Sequence, residues 1–127
     1  SIDDYADIGS FAAYAGVDLL RVNQALRAIE KEFALIAAEP VSAEELMRAK
    51  SYIKGKMVMS LEDSESVANM LAHQQLFYNR FYTLEEQKAL IDAVSIEDIQ
   101  RVAQDILKPE NMTLALIGPF EEKDIEF

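Results

Sequence analysis

Apolar residues recur every three or four positions along much of the chain, which predicts a series of amphipathic helices. The first predicted helix starts after Asp18, a suitable N-cap, and ends at Ala38, because Pro40 disfavours helical conformation in the residue before it. Its apolar stripe consists of Leu19, Val22, Leu26, Ile29, Phe33 and Ile36. We interpret this stripe as the core-facing side of one helix, since it is too short for an independent coiled coil.

Within the stretch 41–63, roughly nineteen residues are predicted to form a longer helix of about 28 Å, at about 1.5 Å per residue. Ser42 and Glu45 have the spacing of a capping box, and the loss of such a cap costs about 1 kcal/mol. The predicted apolar stripe is Leu46, Ala49, Ile53, Met57 and Leu61. Gly55 lies off this stripe, where it either permits a close backbone contact or simply faces solvent.

Three more helices are predicted after this one. A helix that starts near Ser64 carries Val67, Met70, Leu71 and Phe77 on one side and reaches position 79. The sequence leaves two interpretations of the start of this helix open: the helix either continues the preceding helix or breaks from it around Asp63.

Capping patterns mark the two last predicted helices. Thr83 and Glu86 form a second capping box, and Ser95 caps a helix with Asp98 in its first turn. The buried face predicted for this last helix is Ile96, Ile99, Val102, Ala103, Ile106 and Leu107, before Pro109.

Two apolar segments between chain breakers predict strands. They are Ser10–Ala15, before Gly16, and Met112–Ile117, which we expect to be a buried strand. The order of strand, helices and strand predicts an α+β fold in which the helices pack on a small antiparallel sheet. We expect one domain over residues 1–127, with a mobile tail at 120–127, where apolar residues are few.

The net charge of −11, from 12 basic and 23 acidic residues, argues against nucleic acid and anionic membrane as partners. The chain has no cysteine, which excludes disulfides and thiol chemistry and is compatible with a reducing compartment. No apolar run is long enough to span a bilayer, and no signal-peptide pattern is present, so we expect a cytoplasmic location. Because the chain starts with Ser1, we expect a fragment of a longer protein.

The search for chemistry identifies no candidate catalytic, cofactor-binding or metal-binding residue. His73 is the only histidine, and it has no neighbouring acidic residue, so we expect it to pack at the edge of an apolar face. The carboxylates fall mostly at helix starts, where capping explains them. The four glycines form no phosphate-binding loop.

Two surface clusters each allow a functional and a structural interpretation. The basic residues Arg48, Lys50, Lys54 and Lys56 form either a solvated helix face, which we favour, or an anion site. The aromatic residues Tyr78, Phe81 and Tyr82 around Arg80 form either a contact patch or, as we favour, an anchor to the core at a helix end.

Several segments, in order, resemble the C-terminal homologous half of the M16 family (pitrilysin, insulinase and mitochondrial processing peptidase). The segments 7–11 and 14–16 look like the family's Asp-x-Gly-x-Phe and Tyr-Ala-Gly strand. The segments 44–50 and 60–63, with Gly55, are similar to its long central helix. The segments 91–103 and 114–119 resemble the segment after that helix and the terminal strand, so the likeness covers about residues 7–119.

This resemblance implies a domain of a peptidase in which two similar halves enclose a peptide. The family's zinc ligands lie in a His-x-x-Glu-His motif and a distant Glu of the N-terminal half, and this sequence contains no such motif. The family's Arg and Tyr that reach substrate precede the Gly9 strand, in a segment that does not map onto this chain. We therefore expect zinc in the partner half, no cofactor in this chain, and no activity of the chain alone.

Three functions follow as hypotheses. The first is a non-catalytic portion of an M16-type zinc metalloendopeptidase that encloses peptide substrate and contacts the zinc-bearing half or a partner subunit. The second is a structural or assembly subunit with the same fold and no proteolytic activity. The third is an unrelated helical interaction module, which is favoured if residues 10–15 and 112–117 do not pair in a sheet.

Overall fold

In the computed structural model, which describes residues 1–5 and 7–125, five α-helices accompany one two-stranded antiparallel sheet. The strands are β1 (Ile2–Asp4) and β2 (Gly9–Phe11). The helices are α1 (Val22–Ala38), α2 (Ala43–Ser60), α3 (Ser64–His73), α4 (Leu84–Ala93) and α5 (Ile96–Ile106). This composition confirms the predicted α+β class. No helix within the described ranges is both long enough and apolar enough to cross a bilayer.

The chain divides into two compact units, and the boundary between them falls within α5. We call Ser1–Pro40 with Gln100–Phe127 the terminal unit, and Val41–Ile99 the central unit. Each unit is described by itself.

The first predicted helix of the terminal unit is confirmed at its end and only partly at its start, because the α-helix begins at Val22. Asp18 accepts a hydrogen bond from the N–H of Leu20 at 2.9 Å, and a 3₁₀ turn (Leu19–Arg21) precedes α1. Glu39, just before Pro40, has left the helix, with φ −120° and ψ 139°. The helix therefore ends where proline forces its predecessor into extended conformation.

The core of the terminal unit is small. Its buried apolar residues are Val22 and Leu26 on α1 and Ala103 on α5, among the residues described. Leu19, the first position of the predicted stripe, is 55% exposed, since the 3₁₀ turn has three residues per turn and shifts its phase. On α5, Val102 and Ile106 are also exposed, so the predicted buried face of that helix is wrong at these two positions.

The sheet is a hairpin near the start of the chain. Ile2 pairs with Phe11 and Asp4 with Gly9, and the ammonium group of Ser1 donates to the carbonyl of Ala12 at 2.6 Å. The predicted strand Ser10–Ala15 is therefore only partly confirmed, because β2 ends at Phe11. Its partner β1 escaped prediction, since two aspartates interrupt any apolar alternation.

The prediction of a buried strand at Met112–Ile117 is wrong. This segment has no strand conformation assigned, and Ile117 is fully exposed. The physical reason is that a strand needs a neighbour for its backbone groups, and the hairpin pairs with itself instead.

The start of the predicted tail is in contact with α1. A 3₁₀ turn covers Glu122–Asp124, and the carbonyl of Asp124 accepts a hydrogen bond from the Asn23 amide at 2.9 Å. The end of the predicted tail, residues 126–127, lies outside the described residues.

In the central unit, the cap of α2 is confirmed and its apolar stripe is partly wrong. The hydroxyl of Ser42 accepts from the N–H of Glu45 at 3.1 Å. The half-buried face of α2 consists of Leu46, Lys50, Lys54, Met57 and Ser60. Ile53 is 48% exposed, and no atom lies within 4 Å of a Cβ built on Gly55. The described chain therefore makes no close backbone contact at Gly55.

A break separates α2 from α3. Of the two interpretations that the sequence left open, the break around Asp63 is therefore correct, and the continuous helix is wrong. Asp63 is extended, with φ −105° and ψ 123°, and its carboxylate accepts from the N–H of Ser66 at 2.8 Å. Hydrogen bonds from the side chain and backbone of Ser66 lower the pKa of Asp63. After α3 the helix widens into a π-helical turn (Gln74–Tyr78) and ends at Asn79, which has a positive φ of 48°.

The capping predictions for α4 and α5 are confirmed. Thr83 and Glu86 form the reciprocal capping box at the start of α4. The N–H and the hydroxyl of Ser95 both donate to the carboxylate of Asp98, at 3.1 and 3.0 Å.

Candidate functional site

The central unit contains a cavity of about 450 Å³, which we call the central cavity. Its walls come from α2, α3, the π-helical turn and α4. Apolar side chains from three of these helices form much of its lining: Met57, Met70, Leu90 and Ile91. Methionine side chains are flexible and polarizable, so such a wall adapts to the shape of an apolar group.

Two glutamines of the central cavity hold the backbone of Tyr82. The buried amide of Gln74 accepts from the Tyr82 N–H at 2.7 Å, and the Gln87 amide donates to the Tyr82 carbonyl at 3.2 Å. The amide of Gln87 also lies 3.9 Å from the Met70 sulfur. These polar groups therefore fix the loop between the π-helical turn and α4, a role that sequence spacing does not reveal.

His73 lines the central cavity and packs against aromatic rings. Its ring centroid lies 4.5 Å from that of Phe77 and 5.7 Å from that of Tyr78. This is the packing position that the sequence predicts. In the described residues, no group of three or more His, Asp or Glu side chains is placed to hold a metal ion.

The central cavity has the chemistry of a binding site for an apolar group. No acidic residue contributes to its lining. Its apolar wall and few polar groups are typical of a recognition pocket.

Two of the four basic residues on α2 contact α4, so the favoured reading of a solvated face is wrong for Lys50 and Lys54, whereas Arg48 and Lys56 are exposed. Lys50 donates to the carbonyl of Asp92 at 2.8 Å, and Lys54 lies 2.6 Å from the Asp92 carboxylate. Positive charge suits the C-terminal end of α4, where helical carbonyls lack partners. The pair is partly exposed, so it contributes at most about 1 kcal/mol. Asp92 is distant in sequence, which is why helical spacing could not find this contact.

The aromatic cluster around Arg80 is largely outside the core, so the favoured reading of a core anchor is wrong for two of its members. Tyr78 is 55% exposed and Phe81 is 57% exposed. Arg80 lies 4.6 Å from the centre of the half-buried Tyr82 ring and 2.7 Å from the Glu86 carboxylate. The contact patch is the reading that these exposures favour.

Glu86 links this cluster to the cap of α4. The N–H of Thr83, its hydroxyl and the Arg80 guanidinium lower the pKa of Glu86. Because the pKa is lowered in the folded state, the stabilisation is present above the usual carboxyl range. It is lost as the pH falls through the lowered value.

The terminal unit contains a second and larger cavity of about 820 Å³, which we call the hairpin groove. Its lining includes residues of the β1–β2 hairpin and residues 112–114. Leu26, Ile29 and Phe33 of α1 also line it, and the rings of Phe33 and Phe11 lie 5.7 Å apart. This groove is larger than the central cavity.

Comparison with known proteins shows what this chain is similar to. Nearly the whole chain matches M16-type zinc proteases and processing peptidases, which confirms the family resemblance. No family model matches the chain.

The relatives include bacterial and mitochondrial proteins. An uncharacterized zinc protease of Streptomyces coelicolor is 29% identical, over 94% of this chain and 26% of its own length. The β subunit of the rat mitochondrial-processing peptidase is 31% identical, over 92% of this chain and 24% of its own length. An uncharacterized zinc protease of Mycobacterium leprae is 27% identical, over 97% of this chain and 27% of its own length. The chain thus spans about a quarter of the length of the curated relatives it matches.

Proposed function

We propose that this chain is a non-catalytic portion of an M16-type zinc metalloendopeptidase, from the C-terminal half of the enzyme. There it helps to enclose peptide substrate and forms the interface with the zinc-bearing half. The observation that carries this proposal is the match of 92% or more of the chain to a quarter of each zinc protease or processing peptidase subunit. Zinc belongs to the relatives that are named zinc proteases.

The residue content of the chain supports placing the zinc elsewhere. Catalytic zinc sites are built from about three protein ligands, in which histidine predominates. The chain contains one histidine, and that ring packs against Phe77 and Tyr78. We therefore assign the zinc ligands and the water-activating base to the partner half.

Exposed apolar side chains on α2 support an interface. Tyr52 is 69% exposed and Met59 72%, and these two residues, seven positions apart, lie on the side of the helix opposite its half-buried face. Clustered apolar side chains on a surface are typical of a protein-binding region. In such an interface, the exposed side of α2 contacts the partner while its half-buried side contacts α4.

A structural or assembly subunit is the alternative function. Its support is that the mitochondrial relatives are named as subunits of a processing peptidase. The two functions differ in the partner that completes the protein. A zinc-binding His-x-x-Glu-His motif in the remainder of the protein or in its partner favours the peptidase, and its absence favours the assembly subunit.

We predict that the purified chain holds no stoichiometric zinc and cleaves no peptide, because its single histidine cannot form a catalytic zinc site. Elemental analysis after purification without chelators measures the zinc content, and a quenched fluorescent peptide library measures cleavage. The full-length Streptomyces coelicolor relative, treated in the same way, is the positive control. One zinc per chain, or cleavage that a chelator abolishes, would refute the proposed function.

A further inference from the structure

Gln74 and Gln87 each use one atom of the side-chain amide to hold Tyr82 and leave the other atom for a further partner. The Oε1 of Gln74 accepts from the Tyr82 N–H, and the Nε2 of Gln87 donates to the Tyr82 carbonyl. Because an N–H needs an acceptor and a carbonyl needs a donor, these bonds fix which way round each amide lies. Gln74 is left with its Nε2 as a donor, and Gln87 with its Oε1 as an acceptor.

These two remaining amide atoms are within reach of a ligand in the central cavity. Neither has a hydrogen-bond partner among the described residues. Across that part of the chain, no unpaired nitrogen or oxygen of a buried or half-buried side chain is sealed from solvent, so both atoms are accessible. Gln74 is only 4% exposed and Gln87 is half-buried, and both line the central cavity. The cavity therefore offers a ligand one donor and one acceptor.

Peptide groups are the chemical complement of this pair of amide atoms. The carbonyl of a peptide group accepts from a donor such as the Gln74 Nε2, and its N–H donates to an acceptor such as the Gln87 Oε1. A wholly apolar ligand would displace water from both atoms and leave them unpaired, which costs free energy. The site therefore favours a ligand that carries peptide groups beside an apolar group.

The apolar wall suits a large, uncharged side chain next to those peptide groups. Met57, Met70 and Ile91 are half-buried, whereas Leu90 is 57% exposed, so part of the wall is uncovered. The lining contains no Asp, Glu, Lys or Arg, so a charged ligand side chain would find no opposite charge there. Thioether sulfur makes favourable contacts with aromatic rings. The volume of about 450 Å³ lies within the range of small-ligand sites, about 300–1,000 Å³, and an aromatic side chain fits this wall.

A π-helical turn forms part of the same wall. The turn Gln74–Tyr78 contributes its first and last residues to the lining of the central cavity. Single π-helical turns are rare and frequently occur at functional sites. Here the turn places the buried amide of Gln74 and the ring of Tyr78, which is 55% exposed, in one binding surface. The backbone geometry supports a binding role independently of the two amides.

We propose that the central cavity binds a peptide through one residue with a large, uncharged apolar side chain, for example phenylalanine. That side chain packs against the methionine and aliphatic wall, and the adjoining peptide groups bond to the Nε2 of Gln74 and the Oε1 of Gln87. The peptide is assigned to the substrate of the M16-type enzyme, so the assignment rests on the proposed function. It gives the substrate a contact in this chain and an apolar preference at that contact.

Titration of the chain with a single-residue peptide tests the proposal. The probe is N-acetyl-L-phenylalanine methylamide, which carries one aromatic side chain between two peptide groups. Two-dimensional NMR of the isotope-labelled chain follows the backbone amides and the glutamine side-chain amides as the probe is added. We expect saturable shifts at the side-chain amides of Gln74 and Gln87 and at the Tyr82 N–H.

The D enantiomer of the probe is the matched ligand control. It has the same groups and the same solubility, but it cannot place the ring and both peptide groups in the same positions at once. We expect it to bind about tenfold more weakly, since the loss of about one hydrogen bond changes a dissociation constant by about that factor.

Two leucine substitutions separate the central cavity from the rest of the surface. Leu90 lines the cavity, whereas Leu76, which is 80% exposed, is not part of the lining. Both side chains are more than half exposed, so Leu90→Gln and Leu76→Gln should leave the chain folded. Leu90→Gln should weaken binding of the probe by about fivefold, because it removes apolar surface from the wall. Leu76→Gln should bind the probe like the unmodified chain.

Several results would overturn this assignment. They are the absence of saturable shifts, equal binding of the two enantiomers, and equal effects of the two leucine substitutions. In each of these cases the proposed function still stands or falls on zinc content and peptide cleavage, which are measured separately. Shifts at the same groups that appear without the probe, as the concentration of the chain rises, would assign the cavity to a second copy and overturn the peptide ligand.

Discussion

Leu26→Ala should lower the free energy of unfolding by about 2–3 kcal/mol, the largest effect expected of any single substitution considered for this chain. Leu26 is 8% exposed and is one of the three buried apolar residues among those described. The lower part of the usual range applies because Leu26 also lines the open hairpin groove. Chemical denaturation followed by circular dichroism measures the loss.

The matched control is Leu20→Ala, the same chemical change at an exposed site on the same stretch of chain. Leu20 is 96% exposed, so its removal should change the free energy of unfolding by no more than about 0.5 kcal/mol. Equal losses in the free energy of unfolding for the two substitutions would contradict the assignment of Leu26 to the core of the terminal unit. The free energy of unfolding of a domain is only about 5–15 kcal/mol, so a loss of about 2–3 kcal/mol for Leu26→Ala is a large and measurable fraction of it.

Gln74→Leu should destabilise the chain by about 1–3 kcal/mol, because it leaves a buried donor without its acceptor. Gln74 is 4% exposed, and its amide oxygen accepts the N–H of Tyr82 at 2.7 Å. Leucine has a similar size but offers no acceptor, so the Tyr82 N–H loses its partner. Denaturation gives the stability, and amide exchange at Tyr82 should become faster.

Gln75→Leu provides the comparison for this second prediction. Gln75 lies in the same π-helical turn and is exposed, and its amide donates to the side chain of Asn79 at 2.8 Å. Its replacement should cost well under 1 kcal/mol, because water can replace an exposed hydrogen bond. Loss of stability in Gln75→Leu that matches that of Gln74→Leu would contradict the role given to the buried amide.

Local signals were readable from the sequence where the interaction is short-range. The caps at Asp18, Ser42 and Thr83 appear as predicted, because each joins a side chain to a backbone group two or three residues away. The end of α1 before Pro40 is likewise set by a neighbour in the chain. These features need no knowledge of the rest of the fold.

Contacts between distant residues were not readable. The ion pair of Lys54 with Asp92 joins α2 to α4, and Lys54 rather than Ile53 lies on the half-buried face of α2. The hydrogen bond between Gln74 and Tyr82 depends on the path of the loop between them. Neither contact leaves a periodic pattern in the sequence. The candidate cavities were missed for the same reason, because their walls come from separate elements.

Whether the segments 10–15 and 112–117 pair in a sheet was the criterion for an unrelated helical module, and it does not by itself decide among the three functions. They do not pair with each other in the described residues, which was the condition that favoured an unrelated helical module. The similarity to M16-type proteins over more than nine tenths of the chain nevertheless argues against an unrelated module.

The proposed function is tested most directly by a cleavage assay with the Streptomyces coelicolor relative from which the matched 119 residues are removed, which we call the remainder polypeptide. Its cleavage of peptides is measured with and without this chain. We expect little cleavage by either component alone and a rate at least about tenfold higher for the mixture, a lowering of the barrier by about 1.4 kcal/mol or more. Zinc should stay with the remainder polypeptide throughout. An unchanged rate on addition of this chain, under conditions where the relative's own segment restores cleavage, would contradict the account.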